Sequence, residues 1–571
     1  MTAPAVPPGP NSQIDRIANR HVAMMAALDP IEATGMGVDG HDHELPDYSP
    51  QGHAARFELS RSTARALREA WEQAGSADRP QDRITFEAMQ ERLGLEQALF
   101  EAGEHLADLN VVASPIQQIR DVFDLMPTAT AADWQTIAER LAAVPACLNS
   151  YAESLRAGQP TGPTPAVRQI ELGADEARKL AGPDSAFRRL IATAGQNESG
   201  LGAGLLAELE RAASAARAAY GELAEVLERE LAPKAPTEDA FGRDRYALWS
   251  RYFVGAAVDL DEAYAWGEEE LARVTAEQEA LAVRIAGTAA GVPDAVRALD
   301  DDASRKIRGK AALREWMQTT ADQAMAALDG TYFDIPEPVK RIEAMIAPSD
   351  SGAIYYTGPS QDFSRPGRMW WSVPEGVDEF ATWREKSTVY HEGVPGHHLQ
   401  IGIATAQAGE LNDWRRLASW SSGYGEGWAL YAEALMGEFG FMDDPGDRFG
   451  LLDAERLRAA RVVFDIGVHL RLSAPARFGG GRWDADKAWA LLEANVSGMS
   501  EGFARFEWAR YLGWGGQAPS YKLGQREWNR LRADSTAGSD GSDDAAVRDF
   551  HNRALRLGSL PLAVLPSALG L

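Results

Sequence analysis

Along most of the chain apolar residues recur at intervals of three and four between Glu, Arg and Gln, the spacing that lays an apolar stripe along one side of an α-helix. The segment Asp259-Leu-Asp-Glu-Ala-Tyr-Ala-Trp-Gly-Glu-Glu-Glu-Leu-Ala-Arg-Val, continuing to about Ile285, is the clearest case. The same period predicts helices around residues 11–29, 56–76, 83–108, 132–157, 203–231, 310–328, 378–393, 426–438, 451–472, 485–495 and 520–533. These stretches are rich in Ala, Leu, Glu and Arg, which are strong helix formers, so the expected class is mainly α. Loops are marked by Gly158-Gln-Pro-Thr-Gly-Pro-Thr-Pro165, Gly287-Thr-Ala-Ala-Gly-Val-Pro293 and the acidic run 534–544. Residues 353–373 break the period: Ala-Ile-Tyr-Tyr-Thr and Arg-Met-Trp-Trp-Ser-Val flank a Gly, Pro and Ser turn region and predict a short β-hairpin just before the helix at 378–393.

Composition narrows the class of partner. With 571 residues, 45% of them apolar and 25% charged, the chain reads as a soluble globular protein. No apolar run reaches membrane length, and the start, Met-Thr-Ala-Pro-Ala-Val-Pro-Pro, lacks a basic and apolar leader, so the cytoplasm is the expected compartment. Cys147 is the single cysteine, which excludes a disulfide framework and any multi-cysteine metal site. Lys and Arg number 57 against 84 acidic residues, a net charge of −27. A field of that sign repels phosphate backbones and anionic lipids, so neither nucleic acid nor membrane is an expected partner.

The candidate chemistry sits in residues 390–400, Tyr-His-Glu-Gly-Val-Pro-Gly-His-His-Leu-Gln, three histidines beside a glutamate in a chain with ten histidines. Helical zinc hydrolases take two imidazoles from neighbouring turns, leave one position for water, and use the Glu after the first His to remove the water's proton. Here that Glu is Glu392. The usual interval between the imidazoles is four, whereas His391 finds its partner six or seven residues on, at His397 or His398. In a regular helix six residues rise about 9 Å and face away, and seven rise about 10.5 Å, so neither pair could share an ion. Pro395 resolves the spacing, because it has no N–H for the His391 carbonyl and its ring collides with that oxygen. With Gly396 it predicts a local bulge that absorbs two residues and returns the next turn over His391. His397 is the preferred second ligand; His398 is the rival, or stands behind the ligands.

A third ligand is sought in Gly423-Tyr-Gly-Glu-Gly-Trp-Ala-Leu-Tyr-Ala-Glu433. Glu426 is the candidate. Glu433, seven residues on and on the same helical face, could orient a ligating imidazole from behind. Set among Trp428, Leu430, Tyr431 and Leu435, both carboxylates are expected to be half-buried, and a buried carboxylate needs a cation or donors.

At these motifs the chain resembles the bacterial domain-of-unknown-function family 885, whose members carry His-Glu-x-x-Pro-Gly-His followed by Glu-Gly-Trp-Ala-x-Tyr-x-Glu. The resemblance extends to Arg461-Val-Val-Phe-Asp-Ile-Gly-Val-His469, to Arg510-Tyr511, to Gln517-Ala-Pro-Ser-Tyr-Lys-Leu-Gly524 and to Phe550 through Leu562. Gly515-Gly516 stands where the family commonly has Pro-Gly. The family is in turn similar to helical zinc peptidases such as carboxypeptidase Taq and angiotensin-converting enzyme.

That similarity implies two helical lobes, residues 1–340 and 341–571, around a deep cleft, with one Zn2+ per chain held by His391, His397 and Glu426. It further implies Glu392 as general base and Tyr521 as a donor to the oxyanion. His469 could add a second hydrogen bond to the tetrahedral species, and Arg510 could hold a substrate carboxylate. The expected activity is hydrolysis of short peptides, with C-terminal trimming one form of it. A zinc hydrolase of another amide or ester, and an inactive binding protein, are the alternatives.

Overall fold

The structure, a computed structural model, describes residues 10–74, 79–159, 162–194, 200–347, 354–497, 500–538 and 544–571. Residues 160–161, 353 and 539–543, which belong to the expected loops and hairpin, lie outside the described residues. The architecture is mainly α, as the periodicity predicts.

Helices Gln13–Leu28, Pro50–Ala74 and Pro80–Glu101 open the chain, the first started by a reciprocal cap between Ser12 and Asp15. Their apolar faces do not make a core of their own. Val22, Leu67, Met89 and Leu93 join Tyr390, Leu399, Trp428, Trp528 and Phe550 in the largest core, which therefore takes helices from both sides of residue 340. A second core forms among helices Pro115–Leu125, Ala131–Gly158, Val167–Ala181 and Ala203–Val226, around Trp134, Leu148, Phe187 and Tyr220. Cys147 is buried there, its thiol turned to the Pro46 carbonyl. A cavity of about 1160 Å³ separates helices of this second core from Tyr355 and Phe506.

The expected hairpin is present as β2 (Ile354–Thr357) and β3 (Gly367–Trp371), antiparallel with Tyr356 opposite Met369. A strand not expected from the sequence, β1 (Ile342–Ile346), pairs in parallel with the other edge of β3, giving the order β1-β3-β2. Met369 and Trp371 face Leu313, Met317 and Val389. Residues Glu379–Ala381, expected as the first turn of a helix, pair instead with Lys306–Arg308 as a small antiparallel sheet. The helix starts at Thr382 because those backbone groups are committed to a ladder.

The site is built by six helices: α1 (Thr382–Glu392), α2 (His397–Ala406), α3 (Ser422–Glu438), α4 (Pro445–His469), α5 (Glu501–Gly513) and α6 (Ser520–Ser535). Helices α3 and α6 cross at glycines: a Cβ on Gly427 would stand 2.5 Å from the Gly524 Cα. Helix α4 approaches α1 as closely, since a Cβ on Gly450 would overlap the Trp383 carbonyl. No described helix is long and apolar enough to cross a membrane.

Candidate metal centre

Helix α1 ends at Glu392, residues 393–396 form a turn with a cis Val394–Pro395 peptide, and α2 starts at His397. The bulge expected within one helix is thus a complete break between two. Pro395 withholds the N–H that would continue α1. Gly396 takes φ −72° and ψ −130°, outside the helical region, and its N–H reaches the Tyr390 carbonyl at 3.0 Å. Any side chain at 396 would overlap the His391 carbonyl oxygen. The turn's own carbonyls are then satisfied from α3: the Trp428 indole N–H donates to Pro395 O at 2.9 Å and to Gly396 O at 3.3 Å. The two sequence motifs are therefore halves of one hydrogen-bonded unit.

The break brings the imidazoles of His391 and His397 together, ring centres 4.8 Å apart and nearly perpendicular. Glu426 Oε2 lies 3.2 Å from His391 Nε2 and 3.6 Å from His397 Nε2. Donors that share a tetrahedral zinc at about 2.0–2.1 Å stand about 3.3 Å apart, close to the two separations that Glu426 makes. All three ligand atoms lie within 4.8 Å of one another, and among the described residues this is the one such group of His, Cys, Asp and Glu.

The surroundings fix His391 on its other side. Glu433 Oε1 accepts from His391 Nδ1 at 2.8 Å, which places the proton on Nδ1 and turns Nε2 toward Glu426. Arg458 of α4 stands 3.5 Å from the same oxygen. Burial acts to lower the proton affinity of His391, but the hydrogen bonds to Glu426 and Glu433, with the charge of Glu392, hold it up at about 10. Burial likewise acts to raise Glu426, and the two imidazoles outweigh it and hold that carboxyl well below the carboxylate range. The two carboxylates thus hold positive charge at His391. His397 Nδ1, by contrast, is buried without a hydrogen-bond partner among the described residues. Glu392, 6% exposed, is raised by burial first, with Glu426 and Glu433 adding and the two imidazoles opposing. A raised carboxyl is what a base that must also return a proton requires.

Tyr521 is brought beside this cluster by the α3–α6 crossing, three residues before Gly524 as Glu426 is one before Gly427. Burial raises its phenol, the nearby Glu426 charge adds, and Arg510 and Arg461 oppose. Both guanidinium carbons lie over the Tyr521 ring, at 5.0 Å for Arg461 and 6.0 Å for Arg510. They share the buried Glu507, which accepts from Arg461 at 2.6 Å and Arg510 at 3.1 Å and is held down at about 2 despite burial. Two cations on one carboxylate leave a net positive charge behind the phenol.

Three expected roles change. His398 donates and accepts within the protein, Nε2 to the Val339 carbonyl at 2.7 Å and Nδ1 to the Tyr356 hydroxyl at 2.9 Å, so no lone pair remains for an ion. It ties α2 to β2 instead of rivalling His397. His469 is spent too: Nδ1 accepts the Phe241 N–H at 3.3 Å and Nε2 faces the Tyr511 carbonyl at 2.9 Å, which leaves no proton for an oxyanion. Arg510 commits its terminal nitrogens to Glu507, to Gln517 at 2.7 Å and to the Tyr521 hydroxyl at 3.4 Å, so it supports Tyr521 and offers no free fork to a carboxylate. Sequence reading missed Trp428 as the holder of the turn, and Arg461 and Glu507 behind Tyr521. The signal was available for Trp428, a large indole inside a motif, because a buried N–H must find an acceptor.

Among curated proteins none matches the chain. A solved structure described as a "putative lipoprotein" from Colwellia psychrerythraea is similar at a TM-score of 0.83 with 22% identity, covering 98% of each chain. Another, a "putative lipoprotein of unknown function" from Shewanella oneidensis, is similar at 0.70 with 15% identity, covering 98% of this chain and 99% of that one. At such identities these likenesses establish the fold alone. Residues 30–569 match the family described as bacterial protein of unknown function, DUF885, and with that match spanning nearly all of its length the chain belongs to this family.

Proposed function

We propose that this protein is a zinc-dependent hydrolase of amide bonds in short peptides, and that His391, His397 and Glu426 hold the ion. The observation that carries the reading is the convergence of these three ligand atoms within 4.8 Å, with Glu433 on the far nitrogen of His391 and a raised carboxyl, Glu392, beside them. A bound zinc supplies polarisation of the substrate carbonyl and acidification of water. Glu392 removes the proton from the attacking water as its oxygen bonds the carbonyl carbon. It then passes that proton to the nitrogen as the C–N bond breaks, leaving an amine and a carboxylic acid, which ionises to water. Tyr521, with two guanidiniums behind it, donates to the developing oxyanion. Among the described residues the outer edge of β2 pairs with no other strand, which supports an extended substrate whose backbone it pairs. Peptide or small-amide substrates follow from this chemistry.

The test is a pair of measurements on purified full-length protein. Wild type should bind about one zinc per chain and cleave members of a mixed peptide library, followed by mass spectrometry. Glu392→Gln should keep the zinc and lose turnover by several orders of magnitude, because the base is gone and the ligands are not. Wild type that holds no zinc, or Glu392→Gln that cleaves normally, would refute the proposal.

A further inference from the structure

Trp420 is 47% exposed, although both flanking residues, Ser419 and Ser421, are only 4% exposed. One exposed ring needs no occupant by itself, so where it stands decides what it can do. Its position is defined by the metal cluster. The indole packs on Gly425, where a Cβ would collide with the ring, and its centroid is 6.2 Å from that of His397. Gly425 immediately precedes Glu426, which at 20% side-chain exposure is the most open of the three candidate ligands. Trp420 therefore stands beside the cluster and reaches solvent from there.

The ring is also held firmly. Ser419 N–H bonds the Trp414 carbonyl at 2.7 Å, and the Ser421 carbonyl accepts from Tyr424 and Gly425, each at 3.1 Å, as α3 begins. Anchoring on both sides fixes the indole without covering it, and a rigid, half-exposed aromatic face gains affinity at little entropic cost.

We propose that Trp420 is a specificity-determining residue: its indole forms the wall against which a large apolar or aromatic substrate side chain next to the scissile amide packs. The inference rests on the metal-hydrolase reading and names the substrate class within it. A cationic side chain, although drawn to an indole face, would sit within reach of a divalent ion and be repelled by it. The preferred residue is therefore not a cation.

Amino-acid hydroxamates, which chelate zinc and carry one side chain, test this without turnover. Binding of phenylalanine, alanine and lysine hydroxamates to zinc-loaded full-length protein would be measured by titration calorimetry, for wild type, Trp420→Ala and Trp420→Phe. Wild type should bind the phenylalanine compound about tenfold or more tighter than the alanine one. In Trp420→Ala that ratio should fall to about one, with zinc content and alanine hydroxamate affinity unchanged, and Trp420→Phe should recover most of it. An unchanged ratio in Trp420→Ala, equal weakening of both compounds, or tightest binding of lysine hydroxamate to wild type would overturn the assignment. Absence of zinc and of all hydroxamate binding would overturn the hydrolase reading with it.

Discussion

His391 is gripped at both nitrogens, and its protonation follows from that grip. With no ion bound, Glu426 and Glu433 stabilise the imidazolium and raise it from its ordinary range to about 10. The contribution to stability is then full below pH 6.5 and is lost as pH rises toward 10, since the folded state holds the proton more tightly than the unfolded one. Zinc must displace this proton. At pH 8 zinc binding should therefore release at least about one proton per ion, read by calorimetry in buffers of different ionisation enthalpy, and affinity should rise with pH through this window. Zinc binding with no proton release would contradict the assignment of His391. Tyr521→Phe should lower kcat by about 10²–10³ if the phenol donates to the oxyanion; wild-type kinetics in that variant would take Tyr521 out of the reaction.

The decisive elements are the turn at 393–396 and the indole that holds it. Gly396→Ala should abolish zinc binding, because the new methyl overlaps the His391 carbonyl and must displace one of the two imidazoles. Trp428→Phe keeps a ring but leaves the Pro395 and Gly396 carbonyls without their buried donor. That costs about 1–3 kcal/mol, so zinc affinity should fall about tenfold while circular dichroism stays helical; unchanged affinity would show that the turn holds itself. These elements also mark where the sequence was readable. Helices with a clean apolar stripe, such as Leu260–Ala286 and Lys310–Leu328, matched their predicted spans closely. The convergence of His391, His397 and Glu426 was legible because His, Glu, Pro and Gly each constrain geometry within a few residues. What escaped depended on distant partners. Strand β1 exists because β3 offers it an edge, and Glu379–Ala381 leaves the helix because Lys306–Arg308 pairs with it. His398, His469 and Arg510 carry the right chemical groups, and only the arrangement of Val339, Tyr511 and Glu507 around them shows that those groups are spent.

At the scale of the whole molecule, α4 is the spine on which the site is hung. Its Arg458 backs Glu433, Arg461 backs Tyr521 through Glu507, Asp465 accepts from the Tyr246 hydroxyl at 2.7 Å, and His469 closes on α5 through the Tyr511 carbonyl. The stretch Arg461–His469 is thus a set of struts between helices. Because the candidate ligands come from α1, α2 and α3 within the largest core, an ion that binds only the folded protein should stabilise that core. At a hundredfold excess over Kd the gain is about 2.7 kcal/mol, and thermal melts should show a midpoint that rises with zinc in wild type and not in His391→Ala. The most direct measurement is anomalous X-ray diffraction above and below the zinc absorption edge, from crystals of the zinc-loaded protein. The predicted result is one strong peak in contact with His391 Nε2, His397 and Glu426, with His398 still bonded to Val339 and Tyr356. A peak coordinated by His398, or none among these side chains, would contradict the account.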